Sequence, residues 1–231
     1  MIGIVCALDK EVEYLQSVME NKEEKTIASL KYISGVINGK DIVTTECGMG
    51  KVNAAMSTQI MIDYYHVDVI INSGIAGSLS EDIKIADIVI SDDCVQHDMN
   101  TKDLGDPIGE ITFNNEKKSF FKAEDDLINK LKESCKDLEN TSVFIGRIAS
   151  GDVFISSHKK RITLKERFNA LACEMEGAAI AHVAYRNNVP FAILRCISDD
   201  FNQNEGMDYF KFRDIAAEKA CKIISKFISL Y

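Results

Sequence analysis

Long apolar runs are missing from this 231-residue chain. No stretch approaches the ~18 consecutive apolar residues of a membrane-crossing helix, so no membrane partner is expected. The opening MIGIVCALDKE has too short an apolar part for a secretory leader and lacks its basic start. Clustered positive charge is missing too. Lys and Arg total 27 against 36 Asp and Glu, a formal net charge of −9, and a nucleic-acid partner needs the opposite balance. No arginine at all occurs before Arg147. The 7 cysteines form no CxxC pair. The 4 histidines, His66, His97, His158 and His182, have no metal-ligand spacing among themselves or with cysteine, so no metal is expected. Cys6, Cys47, Cys173 and Cys196 lie in or beside apolar runs and read as reduced core residues of a cytosolic protein. Proline occurs only 2 times and 46% of the residues are hydrophobic, so a full core can be buried.

What is present centres on Leu171 to Tyr185, LACEMEGAAIAHVAY. An apolar strand end runs into two acids, Glu174 and Glu176, with Met175 between them. A helix of small residues follows. Acids at a strand-to-helix junction sit at the carboxyl end of a strand, where α/β sheets bind ligands. Either acid alone is equally explained as a helix cap that favours the positive helix end. A second tract, Ala192 to Asp200 (AILRCISDD), is another apolar strand ending in acids, with Arg195 inside it.

Ile2 to Leu8 reads as a buried strand, and Asp9 as the cap of a helix over Lys10–Met19. Glu11 lies in its first turn, and on position alone it is a helix-dipole acid. Strands Lys31–Ile37 and Asp41–Glu46 are joined by Asn38-Gly39, a strong hairpin signal. Gly48-Met49-Gly50 then opens a helix to about Tyr65. Asn53 and the missing acid after Asn72 depart from a dinucleotide fingerprint, so no nicotinamide cofactor is expected. The turn still offers N–H groups to an anion, a water or a sugar oxygen.

Gly74-Ile75-Ala76-Gly77-Ser78 reads as a second glycine loop at a strand end. One or two strands lie within Ile83–Val95, and His97–Phe113 is a long polar excursion. Ala123–Asp137 reads as a solvent-facing helix, Val143–Ile148 as a strand and His158–Arg167 as a basic surface helix. Asp208–Leu230 closes the chain with Ile215, Ala216, Ala220, Ile223, Ile224 and Phe227 inward. Strands and helices alternate with no linker or repeat. The expected architecture is one three-layer α/β/α domain over residues 1–231, with a mixed central sheet because of the hairpin. Glu11, Gly48, Gly74, Phe154, Glu176 and Asp199 all follow strands and converge on one cleft in such a fold.

Six collinear blocks, GIVCALDKEVEYL, ECGMGKVNAA, DVIINSGIAGSL, SGDVFI, CEMEGAAIAHVA and LRCISD, resemble the nucleoside phosphorylase superfamily. Within it they are most similar to the 5′-methylthioadenosine/S-adenosylhomocysteine nucleosidases. The resemblance implies a nucleoside phosphorylase/hydrolase-like fold and an adenine nucleoside as partner. It implies that Glu11 activates water and that Asp199 protonates adenine N7. Glu176 would bind the ribose hydroxyls, with Met175 beside it, and Arg195 would lie near the water. Phe154 would stack on the base, which the Ile155 backbone would hydrogen-bond. Gly77 would line the pocket by its backbone, and Met49 and Tyr209 would lie near the ribose and 5′ substituent.

Two departures stand out: Ile75 where many members have Ser, and Asn100 and Lys102 in a loop that usually reads HDxDxT. In the family that loop helps form a homodimer.

Breaking an N-glycosidic bond to adenine needs one carboxyl to protonate the leaving purine and another to activate water on the far face. Asp199 must then hold a proton, opposed by Arg195, while Glu11 stays ionised. No cofactor is required. A purine or uridine phosphorylase is the alternative within the superfamily. It needs early cations for phosphate, which the arginine-free first half does not offer. A non-enzymatic nucleoside-binding protein on the same fold is a further alternative, and would be marked by loss of Glu11 or Asp199.

Overall fold

The computed structural model describes residues 1–202 and 207–231, the side chains of 207–211 excepted. The central sheet has ten strands. Strand β1 (Ile2–Cys6) is buried throughout. A charged strand, β2 (Glu20–Ile27), pairs antiparallel with β3 (Leu30–Ile37), and β3 with β4 (Lys40–Glu46). Asn38 (φ 51°) and Gly39 (φ 76°) both take the left-handed turn that a two-residue hairpin requires. The sequence reading missed β2 because ENKEEKTI has no apolar alternation and is exposed along nearly its whole length. Such charge suits the open edge of a sheet.

Strand β1 also pairs parallel with β5 (Val69–Ser78), and β5 with β12 (Phe191–Asp199). Strand β6 (Ile88–Gln96) pairs with β12, with β9 (Phe121–Lys122) and with β10 (Val143–Ser150). Strand β10 pairs with β11 (Ala172–Glu174), which turns back antiparallel onto the end of β5. The pairings β5, β12, β6, β10, β11 and β5 again form a ring, so the mixed sheet curls closed at this end. A small hairpin, β7 (Ile111–Phe113) with β8 (Glu116–Lys118), lies in the polar excursion.

Helix α2 (Lys51–Tyr65) packs with α5 (Gly177–Arg186), while α6 (Met207–Leu230) packs with α1 (Glu13–Val18) and α3 (Asp125–Ser134). Helix α4 (His158–Phe168) rests against β10. The core is the Ile, Val and Ala face of the inner strands, with Ile223, Ile224 and Phe227 from α6.

Several expectations are corrected. The helix over Lys10–Met19 begins as a 3-10 turn at Asp9–Glu11, with Leu8 rather than Asp9 at its cap position. The Glu11 carboxylate draws this turn tight by taking the Ala7 and Leu8 N–H groups. Gly74–Ser78 is no loop but the end of β5. Helix α3 is only half solvent-facing, since Leu127, Ile128 and Leu131 are buried. Ile215 points outward, 60% exposed, while its neighbours Ala216 and Ala217 face the core. Arg161, counted in a solvated basic face, is 1% exposed.

Candidate active site

Carboxyl ends of β1, β5, β11 and β12 meet around one pocket. Its walls include Leu8, Glu11, Met49, Ile75, Gly77, Phe154, Met175, Glu176, Arg195 and Asp199. Glu11, Glu176, Arg195 and Asp199 are buried, whereas Met49 and Phe154 are exposed at the rim. Ile155, with Phe154, Gly77, Cys173 and Asp199, lines a small adjoining recess. The side chain of Tyr209 lies outside the described residues.

Glu11 is held by backbone. Its Oε2 accepts from Ala7 N at 2.8 Å and Leu8 N at 2.9 Å, and its Oε1 from Ile75 N at 3.2 Å. Burial pushes its carboxyl up from the ordinary range; Arg195 and these three N–H groups pull the other way. Gly74 is required beneath it: a Cβ there would clash with Arg195 Nη1 and lie 2.7 Å from Glu11 Oε1. The Ile75 position thus contributes its N–H to Glu11 although its side chain carries no hydroxyl.

Glu174, read from the sequence either as a ligand-site acid or as a cap, turns its carboxylate on the first N–H groups of α5, whose N-cap position is Glu176. Its Oε2 accepts from Glu176 N at 2.9 Å and Gly177 N at 2.8 Å, and its Oε1 from the Ser150 hydroxyl. Ser150 Oγ in turn accepts from Ala178 N at 2.6 Å. Arg195 donates through Nη2 to Glu174 and to Asn72 Oδ1, and lies 3.7 Å from Glu176 Oε2. Burial and the neighbouring Glu174 push the Glu176 carboxyl up to about 8, against Arg195 and a 2.9 Å bond from Gly50 N.

The glycine turn before α2 therefore does bind carboxyl groups, and they are the protein's own. Gly50 N serves Glu176, and Lys51 N serves Asp152 Oδ1 at 2.8 Å. Asp98, from the departing loop, joins the same corner through Lys51 Nζ at 2.7 Å and Asp152 N at 2.8 Å.

Asp199 ends β12 past a register shift between Ile197 and Asp199, opposite Gly77. Bulges of this kind re-aim a side chain. A Cβ on Gly77 would meet Asp199 Oδ2 at 2.8 Å. Ser198 Oγ donates to Asp199 Oδ1 at 2.8 Å, and Arg161 Nη2 donates to Oδ2. The cation on Asp199 is thus Arg161 and not Arg195, whose guanidinium is turned to Glu174, Glu176 and Asn72. Sequence reasoning missed Arg161 because it stands in the run HKKR. Its signal was there: Arg161, Leu164 and Phe168 fall at helical spacing, and all three are buried.

Glu11 lies over Gly74 and Asp199 over Gly77, strand positions about 10 Å apart at three residues along β5. Two buried carboxyl groups that line one pocket can serve as acid and base on one substrate. Among the described residues no group of three or more His, Cys, Asp and Glu is arranged to hold a metal, and no helix is long and apolar enough to cross a membrane.

Known proteins resemble this chain along nearly its whole length. The family model of the phosphorylase superfamily matches residues 1–229. A 5′-methylthioadenosine/S-adenosylhomocysteine nucleosidase of Staphylococcus haemolyticus is 36% identical over 231 residues, all of both chains. The structure of the Streptococcus pneumoniae nucleosidase of that name, with the transition-state inhibitor MT-ImmA, superposes with a TM-score of 0.91 at 32% identity. The match covers 99% of this chain and 98% of that one. A futalosine hydrolase of Helicobacter pylori superposes with a TM-score of 0.92 at 31% identity, covering 100% and 97%. With a match along nearly its whole length, the chain belongs to the phosphorylase superfamily, within its nucleosidase branch of N-glycosidic hydrolases.

Proposed function

We propose that the protein hydrolyses the N-glycosidic bond of 5′-methylthioadenosine and S-adenosylhomocysteine, releasing adenine and the 5-thio-substituted ribose. One observation carries this reading: two buried carboxyl groups, Glu11 and Asp199, face one pocket from separate strand positions, with a third, Glu176, between the glycine turn and Arg195. The relatives named above support the substrate class.

The purine lies in the recess of Gly77, Phe154 and Ile155, with N7 toward Asp199. The ribose lies against Met175 and Met49, its hydroxyls on Glu176. As the C1′–N9 bond breaks, its electrons pass into the purine and Asp199 gives N7 a proton. A water held by Glu11 and Arg195 adds to C1′ and yields its proton to Glu11. Each proton transfer is worth ~10²–10⁴-fold in rate. The chain acts as one unit, and a homodimer is part of the reading because the apolar Met49 and Val52 are exposed beside the pocket. No cofactor enters the reaction.

The test is incubation with methylthioadenosine, with and without phosphate, followed by identification of the sugar. Free 5-methylthioribose at the same rate in both is expected. The sugar 1-phosphate as main product would replace this reading with a phosphorylase.

A further inference from the structure

We propose that Arg161 is a positioning residue for the acid Asp199: it fixes the carboxyl group and stabilises the carboxylate left after the proton has gone to the leaving purine. The proposal rests on the function proposed above.

Arg161 comes from α4, an element that contributes no wall to the larger pocket. It is 1% exposed, although a guanidinium is costly to bury without partners. Its partners are all at the acid. Nη2 donates to Asp199 Oδ2, and Nη1 donates to Asp200 O at 2.6 Å and Ser78 O at 3.3 Å. One planar fork therefore ties the end of β12 to the end of β5, the two strands that set where Asp199 points. Neighbours on α4 hold the next residue: His158 meets the Phe201 ring edge-on, and Lys165 Nζ lies 5.1 Å from its centroid.

Around Asp199 the other groups are the Ser198 hydroxyl, the Cys173 thiol of β11 and, across the pocket, Glu174, Glu176, Glu11 and Arg195. Arg195 is committed to Glu174 and Asn72. Arg161 is thus the cation that answers the charge formed on Asp199 during turnover. In the forward step the Asp199 O–H bond breaks, the N7–H bond forms, and the carboxylate remains against the guanidinium until solvent returns a proton.

The experiment measures kcat and KM for methylthioadenosine in the wild type, Arg161→Lys and Arg161→Gln, each also in the Asp199→Asn background. Arg161→Gln should lower kcat by ~10-fold or more with KM changed under ~3-fold, because the cation acts on the acid and not on substrate binding. Arg161→Lys should fall between, because an ammonium cannot serve all three oxygens as a planar fork does. In the Asp199→Asn background Arg161→Gln should cost no further activity.

An unchanged kcat, a loss carried by KM, or equal losses in both backgrounds would overturn the proposal and leave Arg161 as a structural residue. If Arg161→Gln does not fold, Arg161→Lys decides: a lowered kcat at unchanged KM that vanishes in the Asp199→Asn background supports the proposal, and a wild-type kcat overturns it. Absence of any turnover by the wild type would overturn the proposed function and this inference together, whereas wild-type turnover with an unchanged kcat in the variants overturns this inference alone.

Discussion

At the scale of single residues, Glu176 combines two demands that conflict. The proposed ribose-binding role needs it in the pocket, where it is buried beside Glu174. Its carboxyl rises to about 8 in the folded protein, against ~4.3 for an exposed glutamate. The folded state therefore binds this proton more tightly than the unfolded chain does. The stability it confers is fully present below ~4.3 and is lost as pH rises to about 8. Glu176→Gln removes the titration. Its melting temperature should fall less than that of the wild type between pH 5 and pH 9, while its KM for the nucleoside rises. Parallel melting curves across that range would show that Glu176 carries no such strain.

Glu11 and Asp199 can be separated in the same spirit. Asp199→Asn should lose ~10²–10⁴-fold on methylthioadenosine yet recover most of it on a nitrophenyl riboside, whose leaving group needs no proton. Glu11→Gln should stay defective on both substrates, because water activation is needed for each. Equal, substrate-independent defects would mean that acid and base are wrongly assigned.

At the scale of elements, the site depends on close approach between β5 and β12. Gly74 makes room for the Arg195 guanidinium to cross toward Glu174, and Gly77 makes room for Asp199. Gly77→Ala places a methyl 2.8 Å from Asp199 Oδ2 and must push the acid aside. A displacement near 1 Å can cost ~10²-fold. The variant should keep its cooperative melt and lose about that much in kcat; wild-type kcat would show that the acid has slack. This dependence explains which parts of the site were legible in the sequence. Acids at strand ends were visible because apolar runs stop abruptly there, as at Cys173-Glu174 and Ser198-Asp199. The hairpin was visible in Asn38-Gly39, and the α2 turn in Gly48-Met49-Gly50. The glycines of β5 were seen but read as a loop, since glycine weakens an isolated strand and only the partner strand shows why it is tolerated. Strand β2 was hidden because it is a charged, exposed edge with no apolar alternation, and the role of Arg161 because it is fixed by a distant partner, Asp199.

At the scale of the whole molecule, the rim of the pocket is apolar and open. Met49 is 60% exposed, Val52 76%, Val153 42% and Phe154 48%. They form one neighbourhood, because Lys51 N and Asp152 Oδ1 join the start of α2 to the segment after β10, and Met49 and Phe154 share the pocket wall. Contiguous exposed apolar surface beside a site marks a contact face. In the proposed homodimer this face meets the second copy, which covers the rim and helps exclude water from the sugar. Val52 is the best probe, since its side chain projects from α2 and lines no part of the pocket. Val52→Lys should shift light scattering from dimer toward monomer at micromolar concentration and lower kcat/KM, with the melt of the isolated chain otherwise cooperative. Raising the protein concentration should recover part of the lost activity by mass action. A wild type that is fully active as a monomer at micromolar concentration would remove the dimer from the reading, while leaving the chemistry of Glu11 and Asp199 untouched.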